Sequence, residues 1–170
     1  YDWWTDEEYD LSFDMNGAEL DELTQRGKVL NSHSSYEVAD VLGKVESAKK
    51  TEKGYMADLL FSDREEISGI WQDIEAGILT DVSMGVKVLE LKDITKKGEK
   101  KKHLSAARWQ PFEISVVAFG ADPGARFLAA DPRIERARRL QLSADSGAAS
   151  EADRARYLIQ LQRMRFEAGL

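Results

Sequence analysis

The sequence predicts an α+β fold: a small antiparallel β-barrel core with flanking helices, and further helices toward the C-terminus. Three observations carry this. Two pairs of apolar, alternating segments are each joined by turn residues, Lys53-Gly54 in the first pair and Lys96 to Lys102 in the second. One stretch of helical periodicity lies between the pairs. The regular strand–helix alternation of a doubly wound parallel sheet is missing.

The elements follow in order. Residues 1–18 hold Trp3, Trp4, Tyr9 and Phe13 among acids, the pattern of an edge strand or an arm laid over the core. Ala18 to Gln25 reads as a short helix closed by Gly27, and Val29 to Ser32 as a short strand. Val38 to Ala48 and Tyr55 to Ser62 form the first hairpin. Ile67, Ile70, Trp71 and Ile74 recur at helical spacing, so Asp63 to Ala76 is an amphipathic helix. Asp63 is its expected N-cap, with Glu66 three residues on, and Gly77 its stop. Val82 to Thr95 runs out and Leu104 to Phe119 returns, with a lysine-rich tip that discourages edge pairing. Ala125 to Leu142 reads as helix broken at Pro132, Ser143 to Ala149 as a small, polar linker, and Glu151 to Ala168 as a last helix. The expected organisation is a domain over 1–125, a helix over 126–142, a linker over 143–150 and a C-terminal helix over 151–170.

Composition narrows the function classes. The 170 residues are 42% hydrophobic and 32% charged, which suits one domain with a wet surface plus appendages. No apolar run approaches the roughly 18 residues that span a membrane, and the acidic N-terminus does not read as a signal peptide, so no membrane partner is expected. The chain has no cysteine, which excludes disulfides, thiolate catalysis and cysteine-ligated zinc. Two histidines argue against a histidine-rich metal site, and no cofactor is expected. The net charge of −7 is uneven: Tyr1 to Leu23 has no lysine or arginine, the lysines lie between Lys28 and Lys102, and the later cations are all arginines. No aromatic platform is interleaved with those arginines, so nucleic acid is not an expected partner.

Two short segments could carry chemistry, Val29-Leu30-Asn31-Ser32-His33-Ser34-Ser35 and Thr80-Asp81-Val82-Ser83-Met84-Gly85. A serine hydroxyl is a poor nucleophile until a base takes its proton, and histidine is the usual base near neutral pH. Taken singly, His33 is more ordinarily a structural histidine and Ser83 a commonplace serine at a strand start. Ser34, Ser35 and Ser115 compete on paper, but Ser34 and Ser35 are too close to His33 in sequence to meet it easily. Gly85 lets backbone approach a substrate, and N–H groups near it could form an oxyanion hole. A third group must orient the imidazole. With the hairpin turn centred on Gly98, Glu113 falls opposite Ser83, within a residue or two. His103 falls near Asp93, about 30 Å along the ladder from Ser83. Asp81 shares the face of Ser83, although its residue type also suits a turn cap. Arg108, on the returning strand, is a candidate oxyanion support, directly or through water, against the ordinary role of pairing with a surface acid.

Several blocks, taken together, resemble the tailed-phage prohead serine protease family. They are Val29 to Tyr36, Val41-Leu42-Gly43-Lys44-Val45, Ile70-Trp71-Gln72-Asp73-Ile74 with Gly77-Ile78-Leu79, Val82-Ser83-Met84-Gly85, and Trp109 to Val117 with Gly120 to Ala125. The resemblance covers about Trp3 to Ala125. It implies a relationship to the herpesvirus assemblin proteases and a β-barrel core surrounded by helices. It implies a serine endopeptidase working through an acyl-enzyme inside the phage prohead, in the host cytoplasm. The implied substrate is the major capsid protein with its scaffold or delta segment, and the protease itself in many members; the relatives suggest a homodimer. The family serine falls on Ser83, the family histidine on His33 and an acidic position on Glu113. The assemblin relatives use a second histidine as third member, but His103 lies in a tip that resembles no family motif. They also use an arginine-assisted oxyanion site, and no adjacent arginine pair stands near Arg108. Beyond Ala125 the expectation is a helical tail that tethers the protease or carries a self-cleavage site between Leu142 and Ser150. Two other readings compete: a catalytically silent, protease-like scaffold that guides capsid assembly, and an unrelated β-rich binding module whose serine and histidine never meet.

Overall fold

Strand β6, Lys102–Val117, organises the molecule. The computed structural model describes residues 8–52, 54–122 and 124–127, with the backbone of 163–168. The other elements are β1 Tyr9–Phe13, α1 Asp21–Arg26, β2 Lys28–Asn31, β3 Val41–Lys50, β4 Tyr55–Phe61, α2 Glu65–Glu75, β5 Asp81–Asp93, β7 Arg126–Phe127 and β8 Arg163–Ala168. One edge of β6 takes β5 in an antiparallel ladder from Asp81↔Val117 to Asp93↔Leu104. The other edge takes β1 against residues 102–106 and β2 against residues 113–116, both parallel. From β2 the pairing continues antiparallel through β3, β4, β8 and β7 and returns to β5 at Asp81↔Arg126. The sheet is therefore mixed rather than wholly antiparallel, because β1 and β2 run alongside β6 in its own direction.

Alternation along the strands builds the core. In β4, Tyr55, Ala57, Leu59 and Phe61 are buried and the residues between them only half so, the period of a strand with one covered face. Ile67 and Ile74, two turns apart on α2, enter the cluster formed by Val29, Leu42, Leu59, Val82, Ile114 and Val116. Each large aliphatic side chain buried there contributes about 1.5–3 kcal/mol. A second cluster centres on Trp109, which is fully buried. Phe13 and Tyr55 set their rings edge-on to it at 5.2 and 5.4 Å, and its indole N–H donates to the Asp14 carbonyl at 2.9 Å. This packing holds β1 as the edge strand its residues suggested; Trp3 and Trp4 lie outside the described residues.

Both hairpins and the amphipathic helix form, although Val38–Asp40, expected to open the first hairpin, is a short 3-10 helix and β3 begins at Val41. The helix start differs: Arg64, not Asp63, occupies the N-cap, and no side chain caps it. Gly77 follows the helix with φ +72°, the left-handed conformation that favours glycine after a helix. The C-terminal region departs further. Arg126–Phe127, expected to begin a helix, is strand β7, and Arg163–Ala168, expected to end one, is strand β8. The run Arg-Met-Arg-Phe-Glu-Ala alternates with period two, and the free edges of β4 and β7 give it partners on both sides. The rest of the expected helices and the 143–150 linker lie outside the described residues. Among the described residues no helix is long and apolar enough to cross a membrane.

Candidate active site

The site is built on the last turns of the β6 ladder. Val82, Ile114 and Val116 face the core, so Ser83, Glu113 and Ser115 face the other side of the sheet. Ser83 lies directly opposite Ser115, and Gly85 opposite Glu113. The hairpin count had put Glu113 opposite Ser83. The ladder is displaced from it by two residues, one at the turn and one where Phe112 bulges between Pro111 and Glu113. A displacement of two keeps every side chain on its face, so Ser83 and Glu113 still share one. They are diagonal neighbours, a separation of about 7–8 Å between Cα atoms that long side chains bridge.

His33 reaches this face from the end of β2. Asn31 pairs with Val116, and the chain then turns sharply through Ser32 and His33, at φ 51° and 61°. A non-glycine residue in this left-handed region costs on the order of 1–2 kcal/mol, so something must hold the turn. Ser32 N–H donates to the Val116 carbonyl at 2.9 Å and Ser34 N–H to the Asn31 carbonyl at 2.9 Å. Ser34 Oγ donates to Asp40 Oδ2 at 2.5 Å, and the Tyr36 and Glu37 N–H groups reach the same oxygen. These donors, Ser34 first, hold the Asp40 carboxyl below the usual carboxylate range.

The turn sets His33 Nδ1 2.7 Å from Glu113 Oε1. The Glu113 side chain is 6% exposed and the imidazole 45%, so a buried carboxylate meets a ring that solvent and ligands can reach. Glu113 Oε2 accepts a hydrogen bond from Ser115 Oγ at 2.8 Å, and the same Oγ accepts the His33 main-chain N–H at 3.0 Å. Gly85 has a steric reason to be glycine. A Cβ there would lie 2.2 Å from Glu113 Oε1 and 2.8 Å from its Cγ and Cδ, so the carboxylate occupies the space a side chain would need.

The other sequence candidates stand elsewhere. Gly85 N–H is directed into the β6 ladder: Val82 N–H bonds the Ala125 carbonyl on the β7 side, so Ser83 and Gly85, unlike Met84, alternate between them toward β6. Arg108 pairs with Glu19 at 2.6 Å through Nη2, and in the ladder it faces Glu90, roughly 20 Å of strand from Ser83. His103 sits near the tip, 3.6 Å from Asp10 and 3.7 Å from Glu99, about 40 Å of strand from Ser115. Asp81 Oδ2 accepts the Gly120 N–H at 2.9 Å and Oδ1 the Thr80 hydroxyl at 2.8 Å. Those bonds, the Gly120 N–H first, lower its pKa and tie it to the loop after β6. Ser34 is committed to Asp40. Among the described residues no group of three or more histidines and carboxylates could hold a metal ion.

From sequence, Ser115 is only a competing serine. Its signal was available in Glu113-Ile114-Ser115, where the i and i+2 positions of a strand share a face.

Comparison with known proteins agrees with the resemblance. Residues 13–139 match the family profile described as caudovirus prohead serine protease. A major capsid protein of Halomonas phage phiHAP-1 is 34% identical over 114 residues, which are 66% of this chain. The chain spans only 19% of that relative's length. No solved structure matches. With the profile covering most of its length, the chain belongs to the caudovirus prohead serine protease family.

Proposed function

We propose that the chain is a serine endopeptidase that cuts a phage capsid protein during prohead maturation, with Ser83 as nucleophile, His33 as general base and Glu113 as the acid that orients it. The observation that carries this reading is the 2.7 Å contact between His33 Nδ1 and the buried Glu113 carboxylate, made on the face that also holds Ser83. With Nδ1–H donated to Glu113, the lone pair lies on Nε2 at the accessible edge of the ring.

The chemistry follows from that tautomer. Nε2 takes the Ser83 hydroxyl proton as Oγ attacks a peptide carbonyl, and Glu113 stabilises the imidazolium. The imidazolium then gives its proton to the leaving amine. A water, activated by the same nitrogen, releases the acyl group. The oxyanion donor is the Met84 N–H, which strand alternation directs to the edge of β5 away from β6. Neither Arg108 nor the Gly85 N–H is used in this scheme.

Membership in a prohead protease family supports action inside the procapsid, and similarity to part of a protein named major capsid protein supports a capsid polypeptide as substrate or partner. Cleavage of a scaffold or delta segment, self-cleavage and dimerisation are further parts of the proposal. Coexpression with the capsid precursor tests it. The wild-type chain yields the shortened capsid protein, and Ser83→Ala leaves the precursor intact while keeping the wild-type circular dichroism spectrum. Processing by a folded Ser83→Ala variant would exclude this nucleophile. A wild-type chain that never cuts would favour the silent scaffold.

A further inference from the structure

We infer that Ser115 is a positioning residue that fixes the His33 imidazole from both ends, through the His33 main chain and through the Glu113 carboxylate. The inference rests on the roles proposed above for His33, Glu113 and Ser83. Its basis is a closed circuit of hydrogen bonds. His33 N–H donates to Ser115 Oγ at 3.0 Å, Ser115 Oγ donates to Glu113 Oε2 at 2.8 Å, and Glu113 Oε1 meets His33 Nδ1 at 2.7 Å. The circuit begins and ends on one residue, so it defines where the ring stands relative to its own backbone.

The hydroxyl is suited to this and to little else. It has one proton and two lone pairs, and the proton and one lone pair are committed within the circuit. Ser115 is 0% exposed, which denies its oxygen access to a peptide carbonyl, although it lies directly opposite Ser83 in the ladder. Its donation also anchors the second carboxylate oxygen, so that Glu113 cannot rotate away from the ring. The N–H it accepts belongs to a residue at φ 61°, and the bond therefore helps to hold a turn the backbone disfavours. Loss of the hydroxyl would leave a buried carboxylate oxygen and a main-chain N–H without that partner, and the imidazole free to tilt. Near a reacting centre a misplacement of about 1 Å costs on the order of a hundredfold in rate.

The test is the rate at which a fluorophosphonate labels the 170-residue chain, with the adduct located by mass spectrometry. The wild type is expected to be labelled on Ser83. Ser115→Ala and the isosteric Ser115→Cys are expected to react at least about tenfold more slowly, and Ser115→Thr, which keeps the hydroxyl, within about threefold of wild type. The downfield proton resonance of His33 Nδ1–H should be present in wild type and Ser115→Thr and lost in Ser115→Ala. A folded Ser115→Ala variant labelled at the wild-type rate, with the resonance intact, would overturn the inference and leave the triad standing. An adduct on Ser115 itself would overturn it too. If Ser115→Ala does not fold, the Cys and Thr variants decide: a tenfold gap supports the inference and equal rates refute it. A wild-type chain that is not labelled at all would remove the triad and this inference together.

Discussion

The chain has two histidines, His33 on the turn after β2 and His103 on β6, and each stands beside carboxylates, yet the two surroundings differ. At one end of the β5–β6 ladder, His33 meets Glu113 at 2.7 Å, with the carboxylate buried and held by a second donor. At the other, His103 stands 3.6 Å from Asp10 and 3.7 Å from Glu99, and the acids are 53% and 38% exposed. Asp10 is also paired with Lys101 at 2.5 Å, and that bond, first among the causes, lowers its pKa. The contrast shows that proximity of an imidazole to an acid is not what makes a candidate site. A buried carboxylate with both oxygens assigned can set one tautomer and one ring orientation. A carboxylate in water, shared with a lysine, imposes neither.

Breaking the first pair should have the largest effect. Glu113→Gln is expected to lower kcat on the capsid precursor by about 10³ to 10⁴-fold, because an amide in that place favours the wrong tautomer. Peptide-release assays on the folded variant measure it, and a loss of less than about tenfold would deny Glu113 its orienting role. Gly85→Ala should come next. Its Cβ would displace the carboxylate, with an expected activity loss of about ten- to a hundredfold and a destabilisation of about 1–3 kcal/mol. Activity assays beside urea denaturation separate the two effects. An alanine variant with unchanged activity would show that the carboxylate can move without consequence. His103→Ala sharpens the comparison from the other side. It should leave activity within about twofold and stability within about 0.5 kcal/mol, as for other exposed positions. A large loss from His103→Ala would mean that the tip takes part in catalysis.

The parts of the fold legible in the sequence were those with local causes. The isoleucine spacing of α2, its glycine stop and the apolar alternation of both hairpins specify elements through nearest neighbours alone. So did the placement of Glu113 on the face of Ser83, because the hairpin arithmetic needed only the correct face and not the correct residue. The misses have longer-range causes. The bulge at Phe112 shifts the ladder by one residue; Pro111 beside it, which cannot donate to a ladder, marks an edge or a bulge but not the size of the shift. The parallel placement of β1 and β2 beside β6 joins segments about ninety residues apart. Leucines and a methionine spaced by three precede and enter β8 and favour a helix there, and only the edges of β4 and β7 favour the alternation instead. From sequence Gly85 suggests a backbone role, whereas its neighbour across the ladder explains it.

Whether His33 and Glu113 act on Ser83 as one unit is tested most directly by a double-mutant cycle on the rate of Ser83 labelling, using His33→Ala, Glu113→Gln and the two combined. If Glu113 works through the imidazole, it has nothing left to orient once His33 is gone, and the double variant should react no more slowly than His33→Ala alone. Losses that multiply in the double variant would show that the two residues act independently and would contradict the account.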